Sequence, residues 1–245
     1  MILNKWASGA TFLYKCELCS PGSRSGSFCR LRWEGEMWTL RLALLGALIA
    51  LVGVSGYLLK HRQRYGKLLE NTVVNLALVV VYNLLCYLLV GLPSDRGVVP
   101  PPAFLARPTV RVGFSVVGQV LIGLAALTMI VSVWQRKALG GQEVKQGLLT
   151  TGIYRVFRHP VYAGIIGMSL GLALASVNWD GVLMVPAVVL ANAAQAAIEE
   201  RYDVGVRFRS QYQEYRKRTG MFGPLWAWAI LAGALVVLVG ASYLL

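Results

Sequence analysis

The 245-residue chain is 56% hydrophobic and only 14% charged, whereas a soluble domain carries about a quarter charged residues. That composition points away from a soluble fold and towards a membrane protein. The net charge of +13 then marks cytoplasmic loops and contact with anionic headgroups rather than nucleic acid.

Residues 1–37 are rich in Ser, Gly and Arg and have no hydrophobic period. They lack the basic-then-apolar order of a signal peptide. Cys16, Cys19 and Cys29 form one C-x-x-C and a third thiol, without a fourth ligand at zinc spacing. No metal site is expected, and 1–37 is expected to be a disordered extension ahead of Met37. Six apolar stretches follow, at about Leu40–Leu59, Val73–Leu92, Val112–Trp134, Val161–Val177, Val182–Ile198 and Leu225–Leu245. Each approaches the length needed to cross about 30 Å of hydrocarbon. The runs are unbroken rather than alternating, so they predict helices. The fourth and fifth are short and joined by "NWDG", which predicts a tight hairpin. The expected fold is all-α and polytopic, with about six transmembrane helices. Transmembrane helices 1–3 fall in 38–134, a catalytic region in 135–224, and the last helix in 225–245.

Lys and Arg number four in "KHRQRYGK", five in Gln135–His159 and six in Arg201–Arg218. The Pro-rich loop 93–111 has three, and "NWDG" has none. This bias predicts that loops 60–67, 135–159 and 199–224 face the cytoplasm. The two chemically rich stretches therefore share a face. One is "TGIYRVFRHPVYAG", Thr151 to Gly164. Pro160 suits the first position of a helix, and Arg158 and His159 beside free first-turn amides make an anion site. The other is "AIEERYDVGVRFRSQYQEYRKRTGMFGP". Glu199 and Glu200 close an apolar run, a poor place for acids because a helix C-terminus favours cations. Either the helix continues past them or a positive group compensates them. Phe208, Tyr212 and Tyr215 recur at spacings that share one face of an amphipathic helix. A positive site and an acid pair together suit a zwitterionic amino acid head. No strand–GxGxxG–helix unit supports a Rossmann nucleotide site.

"LLTTGIYRVFRHPVYAG" followed by "EER…F…YQEYRKR…P" resembles the isoprenylcysteine carboxyl methyltransferase and phospholipid methyltransferase superfamily over about Gln146 to Pro224. The resemblance implies a polytopic membrane enzyme that uses S-adenosylmethionine on a lipid or lipidated acceptor. By position it implies cofactor contacts from Gln146, Gly147, Leu148, Leu149, Tyr154, His159, Pro160, Val161, Tyr162 and Glu200. His159 and the helix start would hold the methionine carboxylate, and Glu200 its ammonium. Prenylcysteine-specific members carry an arginine one turn before that glutamate, where this chain has Ala196. Arg201 could substitute from the next turn, and Glu199 joins these as a substrate-side candidate. The usual R-V-P after the tyrosine pair reads Arg218, Thr219, Gly220. Two rival readings are an NADPH-dependent sterol reductase-like enzyme, which usually has HPNY where this chain has HPVY, and a non-catalytic membrane protein of the same fold.

Overall fold

The computed structural model describes residues 25–70, 72–92, 102–138 and 147–244. Gln146, Cys16 and Cys19 lie outside the described residues, as does 1–24 of the expected extension. Helix α1 runs Ser25–Lys60, α2 Arg62–Glu70, α3 Thr72–Gly91 and α4 Pro108–Ala138. Then come α5 (Pro160–Ala175), α6 (Trp179–Glu199), a π segment (Glu200–Val204), α7 (Gly205–Arg218) and α8 (Leu225–Leu244). Short 3-10 turns occupy Ala103–Ala106 and Gly152–Arg155. There is no strand among the described residues.

Among the described residues, three helices are long and apolar enough to cross a membrane: Met37–Lys60, Pro108–Arg136 and the helix that begins at Trp179. Ala77–Gly91, Pro160–Ala175 and Leu225–Val237 are shorter apolar helices. All six apolar stretches are thus helical over their described residues. The exterior is apolar as well. Val112, Val116, Val120, Leu124, Leu127 and Ile130 of α4 recur at steps of three and four, and each is more than half exposed. A stripe of that extent is unfavourable in water and suits lipid.

α5 is the central helix, with ten of its sixteen residues buried. It packs on α3, α4 and α6, most extensively on α4. That contact is close because both faces carry glycine. A Cβ on Gly118 would lie 2.6 Å from the Gly171 carbonyl oxygen, and one on Gly171 would lie 2.8 Å from that of Gly118. Small residues are a general device for bringing backbones together in lipid. The main core joins Leu48 of α1, Tyr82, Cys86, Leu89 and Val90 of α3, Ile165 and Ala173 of α5, and Val185 and Val188 of α6.

The "NWDG" hairpin is more than a short connection. Asn178 caps α6, accepting from the Gly181 amide at 3.0 Å, and donates to the carbonyls of Val90 (3.1 Å) and Leu92 (2.8 Å). Asp180 pairs with Arg41 of α1 at 3.0 Å, both side chains 1% exposed. Arg41 also donates to the Leu92 carbonyl at 2.7 Å. One buried ion pair therefore ties α1, the end of α3 and the start of α6 together.

Candidate active site

The α6 helix does not end at the paired glutamates. It continues through the π segment into α7, which kinks at Arg209, where φ is +37°. The apolar part ends at Ile198, and the charged remainder lies beyond it. π turns are rare and tend to occur where a helix must place a side chain off its regular face. This one carries Glu200 to the N-terminus of α5.

There the two sequence motifs meet. Glu200 Oε1 lies 2.8 Å from Arg158 Nη1 and 3.1 Å from His159 Nε2. The three side chains are 7–9% exposed. Arg158 Nη1 also donates to the Tyr212 hydroxyl at 3.4 Å. Arg216 approaches Glu200 Oε2 at 3.8 Å from a largely exposed position. Burial by itself pushes the Glu200 carboxyl up. Hydrogen bonds from His159 and Tyr212 and the charge of Arg158 outweigh it and hold the group below its ordinary range. Both alternatives for the acid pair hold at once: the helix continues, and cations compensate it. Glu199, half-buried, accepts a short hydrogen bond from the Tyr162 hydroxyl and lies 3.8 Å from His159 Nδ1. His159 stacks on Tyr162 with ring centroids 5.7 Å apart.

Hydrogen bonds to backbone carbonyls fix this geometry. The amides of Arg158 and His159 donate to the carbonyls of Gly220 and Met221, each at 3.0 Å. The Tyr215 hydroxyl donates to the Tyr154 carbonyl in a short bond and to that of Phe157 at 3.4 Å. The turn before α5 is held from α4, where Gln135 accepts from the Ile153 amide at 3.0 Å. Gly152 is needed at this point: its φ is +60°, and a Cβ there would lie 2.6 Å from the Gln135 side-chain oxygen.

The other expected residues are distributed around the cluster. Pro160 is the buried first residue of α5, and Val161 packs against the main core. Tyr154 is buried in the 3-10 turn. Gly147, Leu148 and Leu149 form a half-buried coil leading to that turn, with Gly147 at φ +121°. Ala196 is fully buried one turn before Glu200. Arg201 is exposed, its guanidinium 5.4 Å from the Tyr202 ring centroid. It takes no part in the described contacts of the cluster. Sequence reading missed Gln135 and Asp203. The latter, in the π segment, pairs with Arg62 of α2 and with Arg207 at 2.6 Å, and so docks α2 beside the site.

Residues 114–204, from α4 through the π segment, match a family model described as phospholipid methyltransferase. The matched region contains Arg158, His159, Glu199 and Glu200, whereas Tyr212 and Tyr215 of α7 lie beyond it. No curated protein and no solved structure matches the chain.

Proposed function

We propose that the protein is an integral membrane methyltransferase. It would move a methyl group from S-adenosylmethionine to an amphipathic acceptor, either an isoprenylcysteine-like carboxylate or a phospholipid amine. The observation that carries this reading is the meeting of Arg158 and His159 with Glu200 inside the region that matches the methyltransferase family model. A methionine head needs a cation and an anion a few ångströms apart, and this cluster contains both. It also keeps unused capacity, because Arg158 Nε is buried without a hydrogen-bond partner. A carboxylate would take Arg158 Nε and His159, and an ammonium would take Glu200 with Glu199 beside it. Gln146, Gly147, Leu148, Leu149 and Tyr154 are proposed to line the remainder of the cofactor, with Pro160, Val161 and Tyr162 at the start of α5.

Bound S-adenosylmethionine supplies an electrophilic methyl on sulfur. The chain's own residues then orient the two reactants and exclude water, which is most of what an in-line displacement requires. The site would face the cytoplasmic side of the cell membrane, a reading that the Lys- and Arg-rich loops support. The test is isothermal titration of purified protein in nanodiscs with S-adenosylmethionine and, separately, with NADPH. Binding of the first alone is expected. Binding of NADPH alone would instead support a reductase, and binding of neither a non-catalytic role.

A further inference from the structure

The cluster is bordered by cations that the cofactor reading does not use. Arg216, Lys217 and Arg218 form the last turn of α7, and all three are exposed. Arg155, also exposed, comes from the 3-10 turn before α5. The two elements lie side by side: the Thr219 hydroxyl donates to the Arg155 carbonyl at 3.4 Å, and that of Tyr215 to the Tyr154 carbonyl. Arg216 comes within 3.8 Å of Glu200, so this rim adjoins the site. Its exposed acid is Glu214, which accepts from Arg218 at 2.6 Å. Among the described residues, Arg155 and Lys217 have no acidic partner.

A helix C-terminus favours cations, which accounts for part of the charge on α7 but not for Arg155. The neighbours of the rim point to what faces it. Val156, next to Arg155, is exposed, and just beyond the rim α8 begins with Leu225 86% and Trp226 66% exposed. Trp228 donates to the Phe222 carbonyl at 2.9 Å, which holds the start of α8 against the loop that bonds Arg158 and His159. Exposed apolar side chains suit lipid, and an indole prefers the membrane interface. The rim therefore lies at headgroup level, where Arg and Lys meet phosphate.

The rim also opposes the proposed donor. S-adenosylmethionine carries a carboxylate, an ammonium and a sulfonium, hence a net positive charge, and cations beside the site repel it. S-adenosylhomocysteine lacks the sulfonium and is neutral overall. An anion on the rim relieves the first and leaves the second unchanged.

We infer that Arg155, Arg216, Lys217 and Arg218 seat the phosphates of anionic lipids, and that this contact raises the affinity for the donor by cancelling the repulsion of the rim. The lipid acts through its charge and is not the methyl acceptor. The effect on the donor rests on the methyltransferase reading, whereas the lipid seat does not.

The test compares the full chain in nanodiscs of phosphatidylcholine with nanodiscs in which phosphatidylglycerol, which has no amine, replaces half of it. At about 10 mM salt, where charges act over about 30 Å, S-adenosylmethionine should bind about sixfold or more tighter in the anionic discs by titration calorimetry. The leaflet alone supplies about threefold, by concentrating a monovalent cation at its surface. S-adenosylhomocysteine should change by less than about twofold. The double variant Arg155→Gln, Lys217→Gln should bind the donor about twofold tighter than wild type in phosphatidylcholine and show no more than about half of the wild-type gain in the anionic discs. Native mass spectrometry should find fewer phosphatidylglycerol molecules retained by the variant than by wild type. Equal retention overturns the inference, as does a full gain in the variant or an equal gain for S-adenosylhomocysteine. Donor binding of equal strength in both discs refutes the inference and leaves the methyltransferase reading standing. Retention of phosphatidylglycerol that is lost in the variant, with no donor binding in either disc, refutes the methyltransferase reading and leaves the lipid seat.

Discussion

Glu200→Gln keeps the shape of the side chain and removes its charge. In wild type the carboxylate lies 2.8 Å from Arg158 and 3.1 Å from His159, in surroundings only 7–9% exposed. At an effective dielectric of about 20 the gross attraction to Arg158 is roughly 6 kcal/mol, and desolvation of both partners cancels much of it. Breaking a buried pair from one side costs about 3–5 kcal/mol, because the remaining charge is left uncompensated. Here the lower end, about 3 kcal/mol, is expected, since glutamine still offers Arg158 one oxygen. Arg216 is largely exposed, so its loss from the cluster adds little. S-adenosylmethionine affinity should fall by about 1–3 kcal/mol, roughly 5- to 150-fold in Kd. Titration calorimetry reads the affinity and thermal unfolding in detergent reads the stability. A variant with lowered stability that binds the cofactor within about twofold of wild type would show that Glu200 is structural and that the site lies elsewhere.

His159→Ala should weaken cofactor binding by a similar 1–3 kcal/mol or so, whereas Arg216→Ala should change it by less than about 0.5 kcal/mol; the same titration checks both. Tyr215→Phe removes the tie between α7 and the turn before α5, and should cost about 1–2 kcal/mol in thermal unfolding. At the other end of the bundle, Arg41→Leu leaves Asp180 buried without its guanidinium and should cost about 3–5 kcal/mol. Cofactor affinity of the folded fraction should be unchanged. The carboxyl of Glu200 is held below its ordinary value of 4.5. Its contribution is therefore full above that pH and is lost as pH falls through the lower folded value. The stability gap between wild type and Glu200→Gln should be constant from neutral pH down to about 5 and shrink on further acidification, as unfolding at stepped pH will read.

The apolar stretches were legible because helix length and lipid exposure leave unmistakable runs, and each of the six is helical over its described residues. Their limits were less so. α1 extends back to Ser25, where composition alone marks no helix. The convergence of the RHP and EER motifs was legible in outline, since spacing placed both at the same end of a hairpin. The form of the meeting was not. Sequence reading gave Arg158 and His159 to an anion and Glu200 to a cation, whereas the chain pairs them with one another. The Arg41–Asp180 pair joins residues 139 positions apart, and no local pattern in "NWDG" signals a distant guanidinium. Asn192 and Gln195 passed as ordinary members of an apolar run. Their burial is a property of the packed bundle, not of the sequence around them.

The π segment has a consequence for the helix it interrupts. An α-helix turns about 100° per residue, and the wider turn at Glu200–Val204 accommodates one residue more than a regular turn. α7 then kinks at Arg209, whose φ is +37°, so the π turn and the kink together aim Tyr212 and Tyr215 at Arg158 and at the carbonyls before α5. Removing a single residue from the π segment would turn everything beyond it by about 100° and carry both tyrosines away from their partners. The site thus depends on a residue count as much as on residue identity. A shortened chain could be better wound and still lose its site.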